Sequence, residues 1–374
     1  MEKTESSDEF RSEEEKIAAL AFNDEKNKAN LVYANRTKGP NSSKYDSLGQ
    51  EILSQVELSG IYKDSSISRK IEKRKTDGLQ QVVLFSDIDN TFYDRNNPDA
   101  SSHLSNMLEK MSWGVVYVTG RDQEMVESQN DLPKADIVVG AVGTEIYILN
   151  TEGKYVRDEE FREILLGSWD RDTIYQEAKD IVNRHSDISF QPRDNPDLIG
   201  QEGHEPQEFK ISLHIFGEIE KAQEVAKLFD QIKGIKVIFS TDIHNPNKFN
   251  LDLLPETGGK ELAVQYLSNK LGIKGFVAGD SGNDLGMLLD SGHPAILVGG
   301  AQEETRAAVV NYQADGLFDR QIRRMPNGQE IRIGTDKIDD ASRGIINALQ
   351  QADFNPEDAK WFVTNLYNMS KKEK

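Results

Sequence analysis

From residue 80 onward the chain repeats one pattern, a short and nearly uninterrupted apolar run followed by an amphipathic stretch. The runs are QVVLFS (81–86), WGVVYVT (113–119), ADIVVGA (135–141), FNLDLL (249–254), KGFVAG (274–279) and PAILVG (294–299). SSHLSNMLEKM, KELAVQYLSNKLG and NDLGMLLDSG are helical candidates between them. A strand with no polar side must be buried on both faces. The pattern therefore predicts an α/β fold, a Rossmann-like parallel sheet covered by helices on both sides.

Between the third and fourth runs lie roughly 100 residues, enough for a small domain of their own. This block offers a helix near 171–185, a strand FKISLHIF (209–216), a helix EIEKAQEVAKLFDQI (218–232) and a strand IKVIFS (235–240). FKISLHIF alternates apolar and polar residues, as a half-exposed antiparallel strand does. A smaller α+β domain inserted as a lid over the larger sheet is the expectation.

Residues 1–79 are mostly charged and polar, with short apolar patches at IAALAF (17–22) and EILSQVEL (51–58). So little apolar surface does not offset chain entropy, so a partly helical or disordered extension lying against the main body is expected. The resulting plan is an extension at 1–79, a core at 80–152 and 249–355, a cap at 153–248 and a polar tail at 356–374.

Charge narrows the partners. The chain has 45 Lys and Arg against 64 Asp and Glu, a net charge of −19, which argues against nucleic acid or an anionic membrane surface. An anionic substrate then requires a local cation. No cysteine is present, which removes disulfides, thiolate metal sites and cysteine nucleophiles. MEKTESSDEFRSEEEK lacks the apolar core of a secretory signal, and no apolar run approaches the ~20 residues that span a bilayer. The expected setting is cytoplasmic.

Four stretches fall at strand ends or beside them, the edge where open α/β sheets bind ligands. DIDNT (87–91) reads equally as a turn or as two acids, one to attack and one to shuttle a proton. VTGRD (118–122) offers the Thr119 hydroxyl and the Gly120 N–H to a phosphate oxygen, while Arg121 fits the site or a surface ion pair. Lys260 follows two glycines at a helix start, where the helix dipole disfavours a cation unless an anion binds there. GDSGND (279–284) places two acids four residues apart, suited to Mg²⁺ or to capping the next helix. The four together, in this order, favour the functional reading of each.

These motifs resemble the haloacid dehalogenase-like superfamily of aspartate-nucleophile phosphatases over residues 80–353, with the insert where the large C2-type cap stands. Within that group the chain looks most like the sucrose-phosphate phosphatases, through VGTEIYILN (142–150), FKISLHIF, LDLLPETGGKELAVQYL, AGDSGNDLGML, VGGAQEE (298–304) and ASRGIINALQQADF (341–354). The resemblance implies that Asp87 attacks phosphorus and that Asp89 protonates the leaving sugar oxygen, then deprotonates water. It implies Mg²⁺ on Asp87, the Asp89 carbonyl and Asp280, with Asp284 adjacent. Thr119, Gly120, Lys260 and Asn283 would surround the phosphate, and Glu145 and Lys210 would meet the sugar.

Two residues depart from the family pattern: Glu261 follows Lys260, adding an anion near the phosphate, and Gly300 stands where an asparagine is common. The segment DRQIRRMPNGQEIRIG (319–334) lies outside the motifs and reads as a surface hairpin around Asn327-Gly328. His204, His214 and His244 lack companion ligands and fit surface or packing roles, and Trp113 and Phe85 fit the core. The leading expectation is a phosphatase of sucrose 6-phosphate or a similar disaccharide phosphate. A mannosyl or glucosyl phosphoglycerate phosphatase and a phosphohexomutase are the alternatives. From another class comes a weakly catalytic sugar-phosphate sensor, or an adaptor that binds a protein partner through residues 1–79.

Overall fold

The computed structural model describes residues 60–79, 82–95, 97–195, 197–198, 206–242, 245, 247–311, 318–319, 322–324, 330–333 and 341–350. Helices α1 (Gly60–Lys63) and α2 (Ser66–Thr76) lead into strand β1 (Val82–Ser86). Next come α3 (Pro98–Lys110), β2 (Gly114–Val118), α4 (Gln123–Glu127), β3 (Ile137–Gly140), β4 (Glu145–Leu149) and β5 (Tyr155–Arg157). The chain leaves through α5 (Glu159–Leu166) into α6 (Arg171–Val182), β6 (Ile188–Phe190) and β7 (Ile211–Phe216). After them stand α7 (Ile219–Phe229), β8 (Ile235–Thr241) and β9 (Lys248–Pro255). It returns through α8 (Lys260–Leu271), β10 (Lys274–Gly279), α9 (Leu285–Asp290), β11 (Ala295–Leu297) and α10 (Glu303–Asn311). Strands β12 (Phe318–Asp319), β13 (Ile322–Arg324) and β14 (Glu330–Ile333) and helix α11 (Ala341–Gln350) complete the described chain.

The larger sheet has the order β12-β13-β14-β11-β10-β1-β2-β3-β4-β5. Its middle, from β14 to β3, is parallel, and antiparallel ribbons flank it on both sides. Alternation along β1 explains its continuous apolar run. Val83 and Phe85 join the core that includes Ala263 and Leu267 of α8, while Leu84 joins the core that includes Leu104 of α3 and Ile345 of α11. Both faces are covered, as the apolar runs predicted. Trp113 and Phe85 are fully buried. The 319–334 segment is a hairpin whose strand β14 extends the large sheet beside β11, and its Asn327-Gly328 tip lies outside the described residues.

The smaller sheet is antiparallel, in the order β6-β7-β9-β8. FNLDLL belongs here, in β9, and not in the large parallel sheet as its Leu-rich end had indicated. Phe249, Leu251 and Leu253 enter the same core as Phe229 of α7, while Asn250 lines the opposite, open side. A strand apolar on alternate residues is one-sided, so the polar residues were the informative ones.

Helices α1 and α2 pack on the large sheet, where Gly114 of β2 leaves room for Ile67. Tyr62 and Ile67 are fully buried, and a methyl added at Gly114 would stand 2.1 Å from the Ile67 side chain. The Arg74 guanidinium donates to the Met111 carbonyl at 2.7 Å, and Lys70 pairs with Asp136 at 3.0 Å. This part of the 1–79 segment is thus a piece of the core, and the patches at 17–22 and 51–58 lie outside the described residues. Truncation through residue 76 should lower unfolding stability by several kcal/mol, because Tyr62, Ile67 and Ile71 each contribute about 1.5–3 kcal/mol on burial. Urea denaturation of the two proteins checks this, and an unchanged midpoint would contradict it. Among the described residues no helix is long and apolar enough to cross a membrane.

Candidate active site

Strand order reverses direction at β1, and the loops after β1, β2 and β10 leave the carboxyl edge together at that point. The Asp87 N–H donates to the Ala278 carbonyl at 2.9 Å, continuing the β1–β10 ladder by one residue. The chain then turns sharply. Asn90 takes φ 57°, a left-handed conformation that asparagine tolerates, and the Phe92 N–H returns to the Asp87 carbonyl at 3.1 Å. DIDNT is therefore a tight turn and an acid pair at once.

Lys260 is the first residue of α8 and is almost fully buried. Its ammonium donates to Asp87 Oδ1 and to Asp284 Oδ1, each at 2.7 Å. The other Asp284 oxygen accepts the N–H groups of Asp280 at 3.1 Å and Ser281 at 3.0 Å, so Asp284 caps its own turn while facing the lysine. Thr91 donates to Asp280 Oδ1 at 3.1 Å. Close approach of two loops sets this floor: at Gly143 (φ 86°) a Cβ would lie 2.3 Å from the Gly259 carbonyl carbon. That contact joins the VGTE and GGK stretches.

Carboxylate oxygens of Asp87, Asp280 and Asp284 lie within 4.8 Å of one another, the one such His/Cys/Asp/Glu group among the described residues. His214 is not part of it, and His204 and His244 lie outside the described residues. The Asp87 carboxyl is raised to about 7: burial pushes it up most, Lys260 offsets part of that, and the Asp284 charge raises it again. Asp280 is raised well above the usual carboxylate range, by burial and then by Asp284 and Asp87. Burial alone would lower the Lys260 ammonium, but Asp284 and Asp87 more than reverse that and hold it above its ordinary value. With all three carboxyls ionised the cluster would carry surplus negative charge, and the raised Asp87 and Asp280 express the cost of that state.

Above the cluster opens a cleft of about 940 Å³, large for a small-molecule site. Asp87, Asp89, Thr119, Gly120, Asp280 and Asn283 line its core side, and Lys210 lines the opposite wall. Lys210, just before β7, reaches the Gly120 carbonyl at 3.4 Å and stands 3.8 Å from Asp252. Lys260 and Asp284 lie beneath the floor. Glu145 is not on the wall: it stands half-buried at the start of β4, behind Gly140, with its carboxyl raised by burial.

Several residues gain roles that single-residue patterns did not show. Arg121 forks onto Asp89, Nε to Oδ2 at 2.8 Å and Nη2 to Oδ1 at 2.6 Å, with Gln129 bracing its third nitrogen. Arg193, in the 3-10 turn Pro192–Asp194 after β6, pairs with Asp122 across the cleft. The Gln302 amide donates to the Thr241 carbonyl at 3.4 Å while its N–H donates to the Asp280 carbonyl at 2.8 Å, linking the small sheet to the acid loop. Glu261 turns away from the phosphate side and pairs with Lys236 of β8 at 2.7 Å. The anion that the sequence placed beside Lys260 is thus neutralised by the small sheet. No side-chain contact comes from Gly300, an exposed turn residue.

A model of the sucrose-6F-phosphate phosphohydrolase family matches residues 80–316, well over half of the 374 residues. The chain belongs to that family. Its members are haloacid dehalogenase-like phosphatases, phosphoric monoester hydrolases with the sheet and cap architecture described above. Among relatives, a putative HAD-like hydrolase of Nitrosococcus oceani is 27% identical over 313 residues, 79% of this chain and 77% of the relative. The probable sucrose-phosphatase 2 of Arabidopsis thaliana is 30% identical over 60% of this chain, and the match spans 52% of that protein. A solved sucrose-phosphatase from Synechocystis sp., in complex with sucrose and phosphate, aligns with a TM-score of 0.55 and 25% identity, covering 74% of this chain and 99% of that one. The family match begins at residue 80, so helices α1 and α2 stand outside it.

Proposed function

We propose that the chain is a Mg²⁺-dependent phosphatase acting on sucrose 6-phosphate or a similar disaccharide phosphate through an aspartyl-phosphate on Asp87. The observation that carries this reading is the group Asp87, Asp280, Asp284 and Lys260 under one cleft. Three buried carboxylates against one ammonium form a hard-oxygen donor set short of positive charge, which fits a divalent cation. Asp87, the Asp89 carbonyl and Asp280 would hold it, with Asp284 beside it. The bound ion would supply the charge that lets an anionic phosphate approach a carboxylate.

The residues then divide the work. An Asp87 oxygen attacks phosphorus in line, the phosphorus–ester bond breaks, and Asp89 gives its proton to the departing sugar oxygen. Asp89, now ionised, takes a proton from water as that water attacks phosphorus, which frees Asp87 and releases phosphate. Arg121, forked onto both Asp89 oxygens, holds that carboxyl in place beside Asp87. Thr119, the Gly120 N–H, Asn283 and Lys260 balance charge on the phosphoryl oxygens.

Lys210 on the opposite wall is our candidate for the sugar, and Glu145 acts at most from behind the wall. We take the cap to end after Pro255, since β9 pairs within the small sheet. Support for sucrose comes from the family match and from the Synechocystis relative, solved with sucrose and phosphate. The cysteine-free, acidic composition fits work in the cytoplasm.

Phosphate release from a panel of sugar phosphates, with and without Mg²⁺, tests the reading. Sucrose 6-phosphate should lead the panel, and glucosyl or mannosyl phosphoglycerate leading it would move the substrate. Hexose phosphate isomers formed without phosphate release would sink the hydrolase reading. The Asp89→Asn variant should give a burst of one p-nitrophenol per site from p-nitrophenyl phosphate, followed by turnover slowed about 10²–10³-fold. Nitrophenolate leaves unaided, whereas the water step has lost its base. Absence of a burst with full steady-state turnover would contradict the assignment.

The raised carboxyls also set a pH dependence. A carboxyl whose folded pKa exceeds its unfolded value holds its proton more tightly when folded, so stability falls as pH rises from about 4 through 7. Metal-free protein should therefore melt at a lower temperature at pH 8 than at pH 5. Added Mg²⁺ should raise the melting temperature more at pH 8, where the carboxylates are ionised. Equal Mg²⁺ shifts at both pH values would contradict a carboxylate site.

A further inference from the structure

A second buried polar cluster lies away from the cleft, where the chain leaves β5 for the small sheet. Its centre is Asp158, which is 2% exposed. Asp158 Oδ1 accepts the N–H groups of Glu160 at 3.1 Å and Phe161 at 3.2 Å, capping α5. Oδ2 accepts the hydroxyl of Tyr266 in α8 at 2.9 Å and the hydroxyl of Tyr62 in α1. Four donors fill the four acceptor sites of one carboxylate. Lys270 donates to the Tyr266 hydroxyl at 2.9 Å, pairs with Glu160, and stands 5.2 Å above each tyrosine ring. The Phe161 ring packs on Tyr266 with centroids 5.0 Å apart.

This cluster joins three parts of the chain that differ in origin. Tyr62 comes from the segment before residue 80, where the family match begins. Asp158 begins the junction helix that carries the chain toward the small sheet. Tyr266 and Lys270 lie on α8, the helix whose first residue is Lys260. The opposite end of α8 is tied to the small sheet as well, through the Glu261–Lys236 pair. One helix therefore carries the phosphate-side lysine and is fastened at both ends to groups that lead to, or belong to, the cap.

We propose that Tyr62 is a positioning residue: its hydroxyl completes the shell of Asp158, locks α5 against α8, and so fixes the small sheet over Asp87. Helix α1 is on this account a built-in brace of the cap, with α2 anchoring it to the large sheet. Tyr62 touches neither cleft nor acid cluster, so its effect on turnover runs only through where the cap sits. A substrate that meets the cap should feel its loss, and one that needs only the core should not.

The test is Tyr62→Phe in the full chain, which removes one hydroxyl and keeps the buried ring. Hydrogen exchange at the amides of residues 159–166 should accelerate about tenfold to a hundredfold, the effect of one lost bond to a buried charge. Amides of residues 82–86 should keep their rates. In kinetics, KM for sucrose 6-phosphate should rise several-fold, while kcat and KM for p-nitrophenyl phosphate stay within twofold. Equal acceleration in both segments, or none in 159–166, would overturn the proposal, as would equal losses on the two substrates. The kinetic half rests on the proposed function, but the exchange half does not. If the parent chain leaves sucrose 6-phosphate untouched, that counts against the substrate alone, and exchange still decides the role of Tyr62.

Discussion

Asp87→Asn is expected to lower the rate of phosphate release by on the order of 10⁴-fold or more, with no loss of fold. Asparagine has the same shape, and its carbonyl oxygen can keep the bond that Lys260 now makes to Asp87 Oδ1 at 2.7 Å. It lacks the anionic oxygen that attacks phosphorus. Chemistry and stability respond differently to pH. Burial holds the Asp87 carboxyl up at about 7, so ionising it above that pH weakens the metal-free protein, and a neutral amide avoids this. The variant at pH 8 without divalent ions should melt no lower than the parent. Thermal melts and a phosphate-release assay on one preparation check both halves, and retained turnover would remove Asp87 from the chemistry.

Lys260→Ala should be the most damaging change to stability, about 3–5 kcal/mol, because it breaks a buried charge group from its cationic side. The ammonium touches Asp87 and Asp284, and Asp280 stands within the same cluster. Without it three buried carboxylates have no buried counter-charge beside them. The loss should be larger at pH 8 than at pH 5, since Asp87 and Asp280 already bind protons more tightly than free carboxyls and take them up as pH falls. Mg²⁺ should restore part of the stability at pH 8. Turnover should still fall by about 10³-fold with Mg²⁺ present, because in the proposed mechanism the ion does not replace the Lys260 charge held against Asp87. Urea denaturation at the two pH values checks the first part. A variant as stable as the parent at pH 8 would show that Lys260 does not balance the cluster.

The sheet was legible because a parallel strand covered on both faces leaves an unmistakable apolar run, and three of the four motifs sit where such strands end. Asp87, Thr119 and Asp280 are far apart in sequence, yet the register of β1 with β2 and β10 brings their loops to one edge, and Lys260 joins them from the end of β9 through the close Gly143–Gly259 contact. FNLDLL was misread because its closing leucines hid the alternation of Asn250 and Asp252. The sequence indicated an extension lying against the main body but not how deeply α2 is buried. SISRKIEKRKT shows two isoleucines in a basic stretch, too few to mark a buried face. Only the gap at Gly114 reveals what Ile67 fills. Arg193 and Gln302 stand singly in loops, and a lone polar residue has no spacing to read. Glu145 shows the converse, since a motif position says little about whether a side chain reaches the wall.

The central claim is that a phosphoryl group passes through a covalent bond to Asp87. Acid-quenched turnover of p-nitrophenyl phosphate by Asp89→Asn, followed by borohydride reduction, reads this directly, because an acyl phosphate is reduced to homoserine at the residue that held it. Peptide mass analysis should find homoserine at position 87 and unmodified asparagine at 89, only when substrate and Mg²⁺ were both present. Phosphate released with position 87 still aspartate at every quench time would contradict the account.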